Sequence, residues 1–436
     1  MINRHRFRQL IAPTAGIRKS VAVALLGLGF FLVGLALSFR LLIGPAFSSL
    51  SDWWNSILSQ AVPKDQIDLA NHWLGLVLLL VGFYLLFQGV RGSLRRINEI
   101  LNPGIKGGMA KTFLRRQQLA QGVRIVAIGG GTGLSTLLKG LKQYTSNITA
   151  IVTVTDDGGS SGRLVRDMGI IPPGDLRNCL VALADQEKLM TDLFQHRFKT
   201  EAGSLSGHSI GNLLIAALVE QEGGDFDKAL TRASEVLNIR GRVIPSTLTP
   251  VRLRALLENG AEVCGETNIV SSGARIRRIF LDPEHAEPHP DALEALAEAD
   301  LIVIGPGSVY TSLVPNLLIS GITEAIQSSR AAKAYICNVM TQPGESDAFT
   351  AAEHLVALQA NIDGRVIDYA LVNTGVPSPA AIEKYEQSGQ HLVQADLDRI
   401  KAMGIKPVTG DYMSESDYVR HDPMKLAARL LGLLNR

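Results

Sequence analysis

The segment Val123–Gly133, VRIVAIGGGTG, runs from a β-branched stretch into four glycines and a threonine, and the helical pattern Leu134–Leu141 follows at once. A buried parallel strand that turns abruptly into a helix leaves unpaired N–H groups at the helix start, and those donors suit a phosphate. Side chains in place of those glycines would block close backbone approach and forbid positive φ. An α/β sheet with a nucleotide-type site at this turn is therefore expected. The run is not a Walker A motif, because no Gly-Lys-Ser/Thr follows, nor a clean GxGxxG. The plainer alternative is a tight strand-to-helix turn that holds no ligand.

At 436 residues the chain exceeds one typical domain, and 46% hydrophobic against 19% charged residues supply both a large core and lipid-facing surface. No charge interrupts Ser20–Phe39, which with Leu41–Ile43 reaches about 36 Å as a helix against a hydrocarbon core of about 30 Å. Trp73–Val90 is a second run long enough to cross. A signal peptide also begins with basic residues, but this apolar stretch exceeds a usual h-region and a second span follows it. Arg4, Arg6, Arg8, Arg18 and Lys19 precede the first span, and Arg91, Arg95, Arg96, Lys106, Lys111, Arg115 and Arg116 follow the second. Between the spans Lys64 stands against Asp52, Asp65 and Asp68. This asymmetry predicts two spans in the cell (inner) membrane, both termini and the main domain cytoplasmic, and a short external hairpin. Trp53, Trp54 and Trp73 stand where interfacial anchors belong.

The organisation read from this is a basic tail (1–19), a two-helix hairpin (20–90), a basic juxtamembrane connector (91–122) and an α/β domain (123–436). The connector either lies near the inner membrane face or is simply solvated. Cys179, Cys264 and Cys337 form no Cys-x-x-Cys pair and no even disulfide framework, so reduced cysteines are expected. No clustered histidine spacing suggests zinc.

From Val123 onward, apolar β-rich runs alternate with helical patterns. The pairs are Val123–Ile128 with Ser135–Gln143, Ile148–Val154 with Leu176–Ala184, Leu301–Ile304 with Leu313–Ile326, Ala334–Val339 with Ala351–Ala360, and Ile367–Val372 with Pro379–Gln387. Continuous hydrophobicity in the runs argues for strands buried on both faces, hence a Rossmann-like, doubly wound, mostly parallel sheet. Asp225–Asp282 is less regular and reads as a β-containing insertion, with short strands at Arg242–Pro245, Arg252–Leu257, Glu262–Val263 and Arg278–Leu281.

In such sheets ligands bind beyond the carboxyl ends of the strands. Gly129, Gly130, Gly131, Thr132 and Gly133 follow the first strand, and Asp156, Asp157, Gly158 and Gly159 follow the second. Gly305, Gly307 and Ser308, with Tyr310 just beyond, follow a later one, and Asn338 ends another. Asp156 and Asp157 suit either ribose hydroxyls or a Mg²⁺ ion, unless they only form an Asp-Gly turn. The glycines and serines after them read as a flexible lid or a second anion nest. Asp175 reads as the N-cap of a helix carrying Arg177 and Asn178. A cation in the first turn opposes the helix dipole, so Arg177 calls for an anion. His208 and Asn212 share a helix face at i, i+4 spacing, a pattern that fits a buried network as readily as an acid–base couple.

Six ordered motifs, IGGGTGLSTLLKGLK, ITAIVTVTDDGGSSGRL, PPGDLRNCLVAL, LSGHSIGNLL, IGPGSVYTSLVPNLL and YICNVMTQPGES, closely resemble the YvcK-like gluconeogenesis factor family over about Val123 to Arg436. That family is similar to the 2-phospho-L-lactate transferases. The resemblance implies a Rossmann-like fold, binding of UDP-sugars such as UDP-N-acetylglucosamine, and a link to cell shape and peptidoglycan precursor supply on gluconeogenic carbon. It also implies nucleotide-sugar contacts at Tyr385 in IEKYEQ and Arg420 in YVRHDP. Two departures stand out: the usual member has no membrane hairpin, and Pro343 and Ser346 replace asparagine and threonine in its QNGET stretch.

The reading that follows is a membrane-anchored UDP-sugar-binding regulator. A phospholactyl-type transferase acting on a nucleotide-activated donor and an NAD-binding module are its rivals. Nucleic acid is disfavoured, because the soluble part shows no concentrated basic stripe with interleaved aromatics. The sequence leaves homo-oligomerisation open.

Overall fold

The computed structural model describes residues 4–38, 56, 63, 66–101, 109–185, 187–414 and 419–434. The chain divides into two compact units, Met1–Gln117 and Gln118–Arg436.

In the first unit, helices α1 (Arg4–Ser38) and α2 (Ile67–Leu101) contain two spans, Arg18–Ser38 and Ile67–Arg96, long and apolar enough to cross a membrane. Glycine recurs at a seven-residue interval on each, at Gly27 and Gly34 and at Gly75, Gly82 and Gly89. A Cβ on Gly27 would overlap the backbone of Leu86, on Gly34 that of Leu79, and on Gly82 that of Phe31. Gly75 faces Ser38 and Gly89 faces Ala24 in the same way. The helices meet backbone to backbone, the packing that small residues permit where lipid offers no hydrophobic drive between helices. Leu25, Leu26, Leu80, Phe83 and Phe87 are left pointing outward, and Trp73 is exposed. Leu41–Ile43, Trp53, Trp54, Asp52, Lys64, Asp65 and Lys106 lie outside the described residues. The second helix runs on through Arg91, Arg95 and Arg96 into the connector, and a further helix covers Met109–Ala120.

The second unit is built on a seven-stranded sheet. Its strands are β1 (Ile125–Gly129), β2 (Ile148–Val152), β3 (Arg242–Pro245), β7 (Leu301–Ile304), β8 (Ala332–Ile336), β9 (Tyr369–Asn373) and β10 (Lys406–Gly410). Their order is β10-β9-β8-β7-β1-β2-β3, and every pairing is parallel. Chain order therefore reverses between β1 and β7, and that switch point is where open α/β sheets leave a crevice for ligands. The helix Gly131–Leu141 shows how sequence builds the layers. Leu134, Leu137, Leu138 and Leu141 recur at i, i+3, i+4 and i+7, and all four are buried. Truncating any one to alanine would cost about 2–5 kcal/mol.

Three more strands, β4 (Arg252–Leu257), β5 (Glu262–Cys264) and β6 (Ile276–Asp282), form a separate antiparallel sheet in the order β5-β4-β6. This is the expected insertion with one correction: Arg242–Pro245 is not part of it but edges the main sheet against β2, because its Val243 and Ile244 are buried there. A second correction concerns Leu313–Ile326, expected as one helix. It is broken into Val309–Leu313, Val314–Leu317 and Ile322–Ser328, with left-handed Gly321 (φ 81°) capping the last. Ser160 and Ser161, read as part of a lid or a nest, sit buried in the first turn of the helix Gly159–Met168.

Replacing Gly82 with Leu should force α1 and α2 apart. Spin labels at positions 25 and 90, beside the Ala24–Gly89 crossing, would then report a longer and broader distance distribution; an unchanged distribution contradicts the backbone-to-backbone packing.

Candidate functional site

The loops after β1 and β7 flank the switch point and touch. A Cβ on Gly133 would collide with the Pro306 carbonyl, and one on Gly130 with the Asp175 carboxylate and the Thr153 methyl. Gly131 has φ +63° and Gly305 φ +87°, values that favour glycine. Gly129 packs against Leu313, while Thr132 is exposed in the first turn of its helix. The β8 end joins the same rim, since Asn338 Nδ2 donates to the Gly307 carbonyl at 2.9 Å. Four separated segments thus meet at one edge of the sheet.

Asp156 and Asp157 have different employments. Asp156 Oδ1 accepts from the Gly158 N–H at 2.9 Å, the Asp-Gly turn, and its other oxygen lies beside Gly174. Asp157 Oδ1 accepts from the Thr267 N–H at 3.0 Å and its hydroxyl at 2.8 Å, which fastens the three-stranded sheet's short helix, Glu266–Ser271, to the β2 rim. Asp175 is not an N-cap. Its helix, Gly174–Leu183, starts two residues earlier than that role requires, with Pro173 at the cap, which leaves the carboxylate to turn toward the glycine loop, where it accepts from the Gly131 N–H.

Arg177, only 4% exposed, donates to Asn212 Oδ1 and Asn178 Oδ1, each at 2.9 Å, and to Ser209 Oγ. Its Nε is buried without a hydrogen-bond partner among the described residues. Burial, and then the Arg197 charge, lower its pKa to about 10. Asn212 Nδ2 reaches Ser160 Oγ at 3.1 Å, and His208 Nδ1 meets the same oxygen at 3.0 Å. His208 does not share a helix with Asn212 as expected: the helix opens at Ile210, capped by Ser209, whose hydroxyl accepts from the Asn212 N–H. Both residues nevertheless converge on Ser160. Burial and the Arg163 charge hold His208 below the ordinary imidazole range.

Other expected residues are built into the protein. Tyr310 is buried, its hydroxyl donating to the Ile276 carbonyl at 3.3 Å, and burial pushes the phenol up to about 12. Ser308 Oγ donates to Glu345. Tyr385 packs on a small cluster of Val339, Met340, Ala381, Met413 and Val419, and Val419 is the immediate neighbour of Arg420. The two residues implied by resemblance alone are therefore drawn toward one place, beyond β8 and β10.

Glu266 and Glu345 were not singled out from sequence. Glu345 accepts from Ser308 and, at 3.2 Å, from the Thr311 hydroxyl; burial raises its pKa, and those hydrogen bonds hold it back. Glu266 is half-buried, and burial followed by the charges of Asp156, Asp175, Glu345 and Asp157 pushes it up to about 9. Burial and Asp156 likewise push Asp175 up to about 6. The only available signal was the Gly-Glu pairs, Gly265-Glu266 and Gly344-Glu345, which no periodicity marks. These carboxyls share a field but not a point: no group of three or more His, Cys, Asp or Glu among the described residues is placed to hold a metal ion by itself.

A carboxyl whose folded pKa exceeds its unfolded value keeps a proton that the unfolded chain loses, so its contribution to stability falls as pH rises between the two values. For Glu266 that window runs from the ordinary carboxylate range up to about 9. Glu266→Gln should therefore raise the thermal midpoint at pH 8 by about 2–4 °C and leave it unchanged at pH 4. Equal midpoints at pH 8 contradict the shared acidic field.

The family model described as 2-phospho-L-lactate transferase CofD matches residues 125–413. A relative from Nostoc sp. (strain PCC 7120) is 42% identical over 98% of this chain and 93% of its own length. The gluconeogenesis factor of Bacillus subtilis (strain 168) is 48% identical over 72% of this chain and 99% of its own. A crystal structure of a UPF0052 family member from Bacillus halodurans superposes with a TM-score of 0.68 at 46% identity, covering 71% of this chain and 99% of that one. The alignment with Nostoc extends across the apolar helices, whereas the Bacillus proteins match a length close to the second unit alone. With its matched sheet, its shared motifs and relatives of this identity, the chain belongs to the YvcK-like gluconeogenesis factor family within the wider CofD group.

Proposed function

We propose that this protein is a membrane-anchored regulator that binds a UDP-sugar and couples its level to carbon metabolism, cell shape and peptidoglycan precursor supply. The observation that carries the ligand is the meeting of the β1 and β7 loops at the switch point, with Gly133 against Pro306. A diphosphate laid on the start of helix Gly131–Leu141 would take main-chain donors from the glycine loop. Arg177, a buried cation with an unpartnered Nε and only neutral hydrogen-bond partners, supplies positive charge behind it. Tyr385 and Arg420 would hold the nucleoside or sugar end, as the family likeness implies. The apolar spans Arg18–Ser38 and Ile67–Arg96, with arginine and lysine gathered at the start of the first and the end of the second, support a two-span anchor with both termini cytoplasmic.

The mouth of the site is acidic, and a diphosphate would not approach it unaided. Asp156 and Asp175, which make no ion pair among the described residues and feel Arg177 only through its field, fit a hard ion that brings its own waters and takes its remaining ligands from phosphate. Mg²⁺ held there would neutralise phosphate charge. The match to the transferase family model favours a second reading, phospholactyl transfer from a nucleotide-activated donor, for which the same residues would hold the donor. An NAD-binding module is the third.

Thermal unfolding of the detergent-solubilised chain should shift upward with UDP-N-acetylglucosamine, more so with Mg²⁺, and not with NAD. Calorimetry should give one saturable site, weakened at least tenfold by Thr132→Trp, which fills the loop's exposed face without touching the core. Unchanged affinity in that variant, or a preference for NAD, contradicts the reading; steady turnover of a nucleoside-diphospho-lactate favours the transferase instead.

A further inference from the structure

We propose that the outer face of the sheet β5-β4-β6 docks on anionic phospholipid headgroups of the bilayer that α1 and α2 anchor. Leu253, Ala255 and Leu257 of β4 are buried, which turns Arg252 and Arg254 outward. On β6, Ile276, Ile279 and Leu281 are buried while Arg278 and Phe280 face out. A register shift at Leu256/Leu257 gives β6 an extra residue there, so Arg277 and Arg278 are both exposed where strict alternation would have buried one. Arg275, just before the strand, is exposed as well. Sequence spacing disperses these arginines over Arg252–Arg278, and the antiparallel register gathers them.

Charge on this face is poorly compensated. Arg254 pairs with Glu262, Asp282 lies opposite Arg252 in the register, and the Glu258 N–H donates to the Arg275 carbonyl, so three carboxylates stand against five arginines. Arg275, Arg277 and Arg278 have no ion-pair partner among the described residues, and Arg278 lies 5.4 Å over the Phe280 ring. Guanidinium forks match phosphate oxygens, and an aromatic ring among cations suits the headgroup level. Each cation near an anionic leaflet multiplies binding by about fivefold. A face in the same chain as the anchor samples that leaflet at a raised effective concentration, so a modest patch suffices. The inference rests on the membrane anchor proposed above and is independent of which nucleotide the sheet rim binds.

The test uses the full chain in lipid nanodiscs, labelled with a fluorophore on Cys264, which is exposed on β5 opposite Arg254; Cys179 and Cys337 are buried. A nitroxide on the lipid headgroup should quench the label about threefold more in discs containing phosphatidylglycerol than in discs of phosphatidylcholine. About 0.5 M salt should abolish the difference, and so should the double variant Arg277→Glu, Arg278→Glu, whose thermal midpoint should match that of the parent. Co-elution with discs but equal quenching in both lipids, or quenching indifferent to salt and charge reversal, overturns the docking alone. Failure to co-elute overturns the anchor and the docking with it.

Discussion

Where Gly133 meets the carbonyl of Pro306, the main chains of two loops from neighbouring strands come together with no side chain between them, and the candidate site depends on that contact. The reversal of strand order between β1 and β7 sends their following segments in opposite directions. A crevice opens there by topology, and the missing Cβ atoms narrow it until backbone groups line both walls. Several glycines of the rim serve this protein-to-protein packing: Gly130 makes room for Asp175, and Gly174 for Ser161 and Asp156. The Gly131 N–H is satisfied by Asp175, so a ligand entering the loop meets a cradle already partly held in place by the protein.

Around that contact, charge is arranged against stability. Asp156, Asp175, Glu266 and Glu345 crowd into one field, and two of them are driven to about 6 and about 9. Arg177 lies buried behind them, hydrogen-bonded to Ser209, Asn212 and Asn178 with no carboxylate in ion-pair distance among the described residues. Structures that are locally consistent elsewhere tend to break the rules where they act. Asp157, by contrast, is spent on Thr267, and this makes the three-stranded sheet a wall of the site.

The parallel sheet was legible because strands buried on both faces read as unbroken apolar runs, and β1, β2, β7, β8 and β9 were all found within a few residues of their true ends. The edges were harder. β3 and β10 are edge strands with few apolar residues and flanking charge, so Arg242–Pro245 reads as part of the insertion and Lys406–Gly410 shows no apolar run. The glycine turns were readable because backbone geometry demands them. Glu266 and Glu345 were not, because a carboxylate brought in from a distant segment leaves no local spacing. Asp175 stands two positions past the cap, and sequence does not separate the two roles, since a capping residue and a first-turn residue that reaches sideways look alike. The seven-residue glycine repeat that pairs α1 with α2 was visible but is easily lost inside two apolar runs.

The central claim is that the main-chain amides flanking the switch point hold a diphosphate. Hydrogen exchange of the full chain, with and without UDP-N-acetylglucosamine, reads those amides directly. The account predicts joint protection of Gly129–Leu134 and of Gly307–Ser308 on adding the ligand; protection absent from both segments, at a ligand concentration that saturates binding, would contradict it.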